Sequence, residues 1–182
     1  HVWGKPLSET AAHLQEFAEV IDAPVVHFVS YSLGGIVLMH LFDQFPVAKE
    51  GRIVLLGSPV NGSVVARRLN STALTRWSLG QSMEHGLGGN VPAWRGWRDI
   101  GAISGSLPLG VGLIIGGPSL PHDGTVSVEE TCLKGATDSL ILPVSHSGIL
   151  FSAEAAQQAV TFLQTGRFDE ETLTAIPDSS AA

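Results

Sequence analysis

Cysteine is almost absent, with one residue, Cys132, in 182. An internal disulfide is therefore excluded, and with no Cys/His spacing suited to zinc the thiol reads as a buried, reduced one. Charge is scarce at 15% of residues and leans negative, Lys+Arg 10 against Asp+Glu 17, for a formal net charge of -7. That sign offers no electrostatic footprint for nucleic acid or for an anionic membrane surface. No apolar run is long and uniform enough to span a bilayer; the most apolar one, 107–120, is broken by Gly110, Gly112, Gly116, Gly117 and Pro118. No signal-like segment opens the chain, and the expected location is cytoplasmic. What the chain does hold is 44% hydrophobic residues and 21 glycines, the composition of a globular, loop-rich domain rather than a disordered one.

Residues 8–21 have the spacing of an amphipathic helix, with Ser8 as N-cap and Ala11, Leu14, Phe17, Ala18 and Ile21 on one face. Asp22-Ala23-Pro24 breaks it, and an apolar β-branched run at 25–30 reads as a strand. That run stops abruptly at Ser30-Tyr31-Ser32-Leu33-Gly34-Gly35, and a helix-like apolar run follows to about Gln44. Further strands are expected at 53–56, 100–104 and 140–144, the last at a sheet edge because Pro143 cannot donate to a ladder. Short helical pieces are expected at 64–69 and 73–79. A final helix capped by Ser152 should stop at Gly166, and a frayed tail should run from 169 to 182. Continuous apolar strands alternating with helices indicate an α/β fold with a mainly parallel sheet, in a single domain over 1–182. Residues 63–97, which contain Trp77, Trp94 and Trp97, read either as a small helical cap or as a connection anchored to the core by its tryptophans.

A strand, a tight turn with a serine at its apex, and a helix with no turn residues between them form the pattern of a nucleophile elbow. Positions two before and two after the apex pass close to neighbouring backbone and favour glycine; Gly34 satisfies this on the helix side, whereas Ser30 stands on the strand side. A helix starting after Ser32 would aim its first amides at the hydroxyl, making the Leu33 N–H one oxyanion donor. Tyr31, beside the apex, is a candidate substrate contact. Such a serine needs a histidine to take its proton and a carboxylate to orient that histidine. His146 follows the last strand in Ser-His-Ser-Gly, while His13, His27, His40 and His85 fall on helices, inside a strand or in the 63–97 segment. Asp123 and Asp138 both precede it. Asp138 opens the last strand, at the end of the sheet away from the elbow, so Asp123 is preferred. His122 reads as a solvent-facing neighbour.

Ser-Tyr-Ser-Leu-Gly-Gly, Leu-Leu-Gly-Ser-Pro-Val-Asn-Gly-Ser, Asp-Gly-Thr-Val-Ser-Val-Glu-Glu-Thr and Pro-Val-Ser-His-Ser-Gly resemble blocks of bacterial lipase-like α/β-hydrolases, related to triacylglycerol lipases and the GPI inositol-deacylase-like group. The resemblance covers nearly the whole chain, from the first helix to Phe168. It implies Ser32 as nucleophile, Asp123 as acid and His146 as base, with hydrolysis of a small-molecule or lipid carboxylic ester through an acyl-enzyme and no metal or cofactor. The family usually has Gly and His where this chain has Ser30 and Tyr31. It also begins with a strand whose His-Gly-type loop gives the second oxyanion amide, which nothing before Ser8 resembles; the expectation is a fragment lacking its N-terminal strands. The alternatives are a non-catalytic module of the same fold, or acyl transfer or thioester hydrolysis on the same three residues.

Overall fold

The structure is a computed structural model that describes residues 6–71, 83–110 and 117–169. The apolar runs become four parallel strands, β1 (Phe28–Tyr31), β2 (Ile53–Leu56), β3 (Ile100–Gly105) and β4 (Asp138–Leu142), paired in that order. Among the described residues the α-helices in chain order are α1 (Leu7–Val20), α2 (Leu33–Gln44), α3 (Val64–Asn70), the one-turn α4 (Val128–Thr131) and α5 (Ala153–Thr165). Every residue of β2 and β3 is buried. β2 is an unbroken apolar run for that reason, since a central parallel strand is covered on both faces, and the one polar side chain of β3, Ser104, is paired with the Thr131 hydroxyl.

The period-two alternation of the strands sorts their side chains between two cores. Phe28, Ile53, Leu55 and Ile100 pack with Leu7 of α1 and Ile36 and Leu41 of α2. Val54, Leu56, Ile103, Leu140 and Leu142 pack on the other face with Ala155, Ala159 and Phe162 of α5 and with Phe168. α2 is apolar nearly all round because it lies between the sheet and α1, and its residues Gly35 to Phe42 are all buried. Trp94 is a core residue set edge-on to Phe42 and to Trp97, so these two tryptophans anchor their loop to α2. Beside them the Arg98 guanidinium lies over the rings of Phe28 and Phe42, 5.4 and 5.1 Å from their centroids, and donates to the Val26 carbonyl. Burial lowers the Arg98 pKa from its ordinary value. Among the described residues no helix is long and apolar enough to cross a membrane.

Several expected boundaries move, each for a physical reason. α1 starts at Leu7 with Pro6 as its N-cap, whose carbonyl accepts from the Glu9 and Thr10 amides; Ser8 is inside the helix and is not its cap. Leu7, Ala11 and Ala18 form the buried stripe of α1, while Phe17 is 64% exposed despite its helical spacing. β1 starts at Phe28 rather than 25, because the Arg52 amide is taken by the His27 imidazole instead of by a strand carbonyl. β3 continues one residue further than expected, to Gly105. β4 runs from Asp138 to Leu142, and Pro143, with no N–H to give, lies just past its end. Cys132 is exposed, not buried. α2 at 33–44, β2 at 53–56, and α5 with its Ser152 cap and left-handed Gly166 match expectation. The expected helix at 73–79 and Trp77 lie outside the described residues, as does the tail beyond 169.

α5 rests on β3 only because Gly101 has no side chain. A Cβ there would lie 2.7 Å from Phe168 and 2.8 Å from Phe162. Gly101→Ala is expected to overpack this contact and destabilise the protein by about 1–3 kcal/mol, lowering the melting temperature by about 2–4 °C per kcal/mol. An unchanged melting curve would show that α5 docks by another surface.

Candidate active site

Parallel pairing brings the carboxyl ends of all four strands to one edge of the sheet, where the loops after β1, β2, β3 and β4 meet. The turn after β1 is the tightest of these. Ser32 has φ 52 and ψ -122 and is the one non-glycine residue with positive φ among those described. Such a backbone costs about 1–3 kcal/mol and persists only where the surroundings impose it. Here the Ser32 amide donates to the Leu56 carbonyl of β2 at 2.9 Å, and its carbonyl accepts from Gly35 in the first turn of α2 at 3.1 Å. Strand and helix therefore grip the residue from both sides, and its hydroxyl projects from the apex. Leu33 is the first residue of α2, where backbone amides have no intrahelical acceptor.

His146 Nε2 lies 3.0 Å from Ser32 Oγ, and His146 Nδ1 lies 2.7 Å from Asp123 Oδ2. Both partners are buried, His146 to 8% exposure and Asp123 to 1%. A carboxylate so enclosed needs donors at its second oxygen. Asp123 Oδ1 accepts from the Thr125 and Val126 amides at 2.9 and 2.7 Å, and the Asp123 carbonyl accepts from the His146 amide at 2.8 Å. The acid is thus held by its own turn and tied to the loop that carries the histidine. Asp138 is at the other end of the sheet and accepts from the Ser139 and Phe168 amides.

Tyr31 places its ring 5.0 Å from the His146 ring, tilted by 38°. Its phenol is held above its ordinary pKa chiefly by burial, with the Asp123 charge adding to the shift and a hydrogen bond with the Ser147 side chain opposing it. The contact observed for Tyr31 is therefore with His146 and Ser147. His122 is 5% exposed and accepts the Gly124 amide at Nδ1, so it is a buried part of the Asp123 turn and not a solvent-facing neighbour.

Gly57, the first residue after β2, was not singled out by the sequence. Its φ is +54, and a Cβ there would lie 3.3 Å from His146 Nδ1 and 3.4 Å from Asp123 Oδ2. The residue is the floor beneath the histidine–aspartate pair. A glycine directly after an apolar strand was the available signal, but only the neighbouring loops show what the space is for. Gly105 plays the matching part as the last residue of β3, since a Cβ there would lie 2.7 Å from Asp123 Cβ.

No protein-family model and no curated protein matches the chain. Solved structures do match. The mature form of the lipase BlEst2 from Bacillus licheniformis aligns with a TM-score of 0.62 at 21% identity, over 90% of this chain and 75% of that one. Its propeptide form gives 0.61 at 23%, over 91% of this chain and 42% of that longer one. MGS-MChE2, an alpha/beta hydrolase enzyme from a lagoon-sediment metagenome of Mar Chica, Morocco, gives 0.53 at 17%, over 86% and 68%. The chain has the α/β-hydrolase fold. In an α/β-hydrolase, side chains of an active site come from loops at the carboxyl ends of the strands, which is where Ser32, Asp123 and His146 converge here.

Gly57→Ala is expected to strain the backbone by about 1–2 kcal/mol and to push the imidazole off Asp123. Urea unfolding should show the loss of stability, and the proton NMR signal of the Asp123-bonded imidazole N–H should shift or broaden. An unperturbed imidazole signal in a folded variant would mean that the residue does not support the pair.

Proposed function

We propose that the protein is a serine ester hydrolase that cleaves carboxylic esters through an acyl-enzyme. The observation that carries this is the chain of contacts from Ser32 Oγ to His146 Nε2 at 3.0 Å and from His146 Nδ1 to the buried Asp123 at 2.7 Å. The strained backbone of Ser32 at the start of α2 supports it, as does the fold shared with a protein named as a lipase.

In this reading Ser32 Oγ attacks the ester carbonyl while His146 Nε2 takes its proton. The carbonyl oxygen becomes an oxyanion, and the Leu33 amide at the helix start donates to it. Collapse of the tetrahedral intermediate breaks the bond to the alkoxy oxygen, and His146 returns the proton to the departing alcohol. Water then attacks the acyl-enzyme with His146 again as base, releasing the carboxylic acid and restoring Ser32. Asp123 keeps the imidazole in the tautomer with its proton on Nδ1, leaving Nε2 free to accept, and stabilises the imidazolium that forms. Tyr31 flanks the approach to the nucleophile. The 63–97 segment is proposed to shape the site for a moderately apolar acyl group, with a small-molecule or lipid ester as substrate.

A fluorophosphonate probe should label the protein at Ser32, and Ser32→Ala should abolish labelling and reduce turnover of a p-nitrophenyl ester by about 10⁶-fold. Asp123→Asn should leave the serine in place but lower kcat by about 10⁴-fold. Ester turnover that persists in Ser32→Ala would rule the mechanism out.

A further inference from the structure

We propose that His122 is a positioning residue: its Nδ1 accepts the Gly124 amide and so fixes the turn from which Asp123 meets His146. The inference rests on the reading of Ser32, His146 and Asp123 as a catalytic set, and extends it to a buried titratable side chain with no part in the proton transfers themselves.

The turn has little freedom. Gly124 adopts φ +97, and a Cβ there would lie 2.3 Å from the Leu109 backbone, so the chain passes through a space that only glycine fills. In that conformation the Gly124 amide points away from the acceptors used by its neighbours. Thr125 and Val126 donate to Asp123 Oδ1, and the Asp123 amide donates to the Val126 carbonyl. The Gly124 amide donates instead to His122 Nδ1 at 2.9 Å, a bond buried from solvent. Left without that acceptor, a buried amide is costly, and the turn would rotate to find water or another oxygen. Rotation about Gly124 carries the Thr125 and Val126 amides away from Asp123 Oδ1 and swings Oδ2 from the imidazole. His122 also forms a bridge with Ser127, so it closes the base of the same loop.

A backbone amide can only donate, so the imidazole accepts at Nδ1 and carries its proton on Nε2. What the site asks of position 122 is therefore an acceptor at one fixed distance from the backbone, two residues before Gly124. The carbonyl of asparagine offers the same acceptor in an Asx turn. Glutamine places its carbonyl one bond too far, and phenylalanine keeps a ring of similar size with no acceptor.

The test compares His122→Asn, His122→Gln and His122→Phe in p-nitrophenyl butyrate hydrolysis and in amide hydrogen exchange, each variant first shown to be folded by circular dichroism. His122→Phe and His122→Gln should lose about 10–100-fold in kcat, the scale expected when a catalytic group is misplaced by a fraction of an ångström, with KM within about twofold. His122→Asn should retain kcat within about threefold of the parent, since the acceptor is restored. Exchange at Gly124, Thr125 and Val126 should quicken in the Phe and Gln variants but not in the Asn variant, while β2 and β3 amides stay protected. Parent-like kcat or exchange in His122→Phe, or an Asn variant as impaired as the Phe one, overturns the proposal. If the parent protein hydrolyses no ester, the hydrolase reading fails, and the exchange pattern alone decides whether His122 holds the turn.

Discussion

The parallel ladder that sets Tyr31 beside Leu56 and Leu56 beside Ile103 governs everything at the carboxyl edge of the sheet. Because Tyr31, Leu56 and Ile103 stand level with one another, Ser32, Gly57 and Ser104 follow at neighbouring positions, and the loop after β4 returns His146 over them. The same pairing supplies the Leu56 carbonyl that takes the Ser32 amide, and the Ile103 carbonyl that takes the Gly57 amide. A slip of one residue in either pair would remove these bonds and exchange the two faces of the strand. The sheet is both the scaffold of the site and the source of the hydrogen bonds that hold its turns.

Two glycines and one serine carry the conformational cost of bringing the loops so close. Ser32 is held at positive φ by β2 on one side and α2 on the other. Gly57 lets the histidine–aspartate pair settle onto the end of β2, and Gly124 lets the acid turn press against the backbone at Leu109. The acid turn is further braced through Ser127 and Glu130, which form a capping box on α4. Glu130 also accepts the Val64 amide at the start of α3, coupling the 63–70 segment to the loop that presents Asp123. A buried carboxylate with donors on both oxygens is the low-cost way to seat a charge in an interior, and the fold uses it twice, at Asp123 and at Glu130.

Much of this was legible from local pattern. The unbroken run at 53–56 reads as a central parallel strand because burial on both faces removes alternation, and the structure buries every residue in it. The start of α2 was readable because Ser32 is followed at once by small and apolar residues with no turn signal. Boundaries that depend on long-range partners were not readable. The start of β1 depends on where the His27 imidazole goes, and the exposure of Phe17 depends on which part of α1 meets α2. The exposure of Cys132 and the burial of His122 run against the sequence pattern for a related reason: burial of a loop residue is decided by what packs over it, and no periodicity encodes that.

By itself, then, the sequence determined the element types, the parallel character of the sheet, and the chain order of Ser32, Asp123 and His146, because hydrophobic period and turn chemistry act over a few residues. Tertiary structure alone decided that the three meet within hydrogen-bonding distance and that Tyr31 faces the imidazole. It alone assigned Gly57 and His122 their places beneath and beside the acid. Apart from the bond between His122 and Gly124, two residues apart, those contacts join residues separated by tens of positions, 114 between Ser32 and His146. Only strand register and helix docking bring such residues together, and neither is written in any short stretch of the chain.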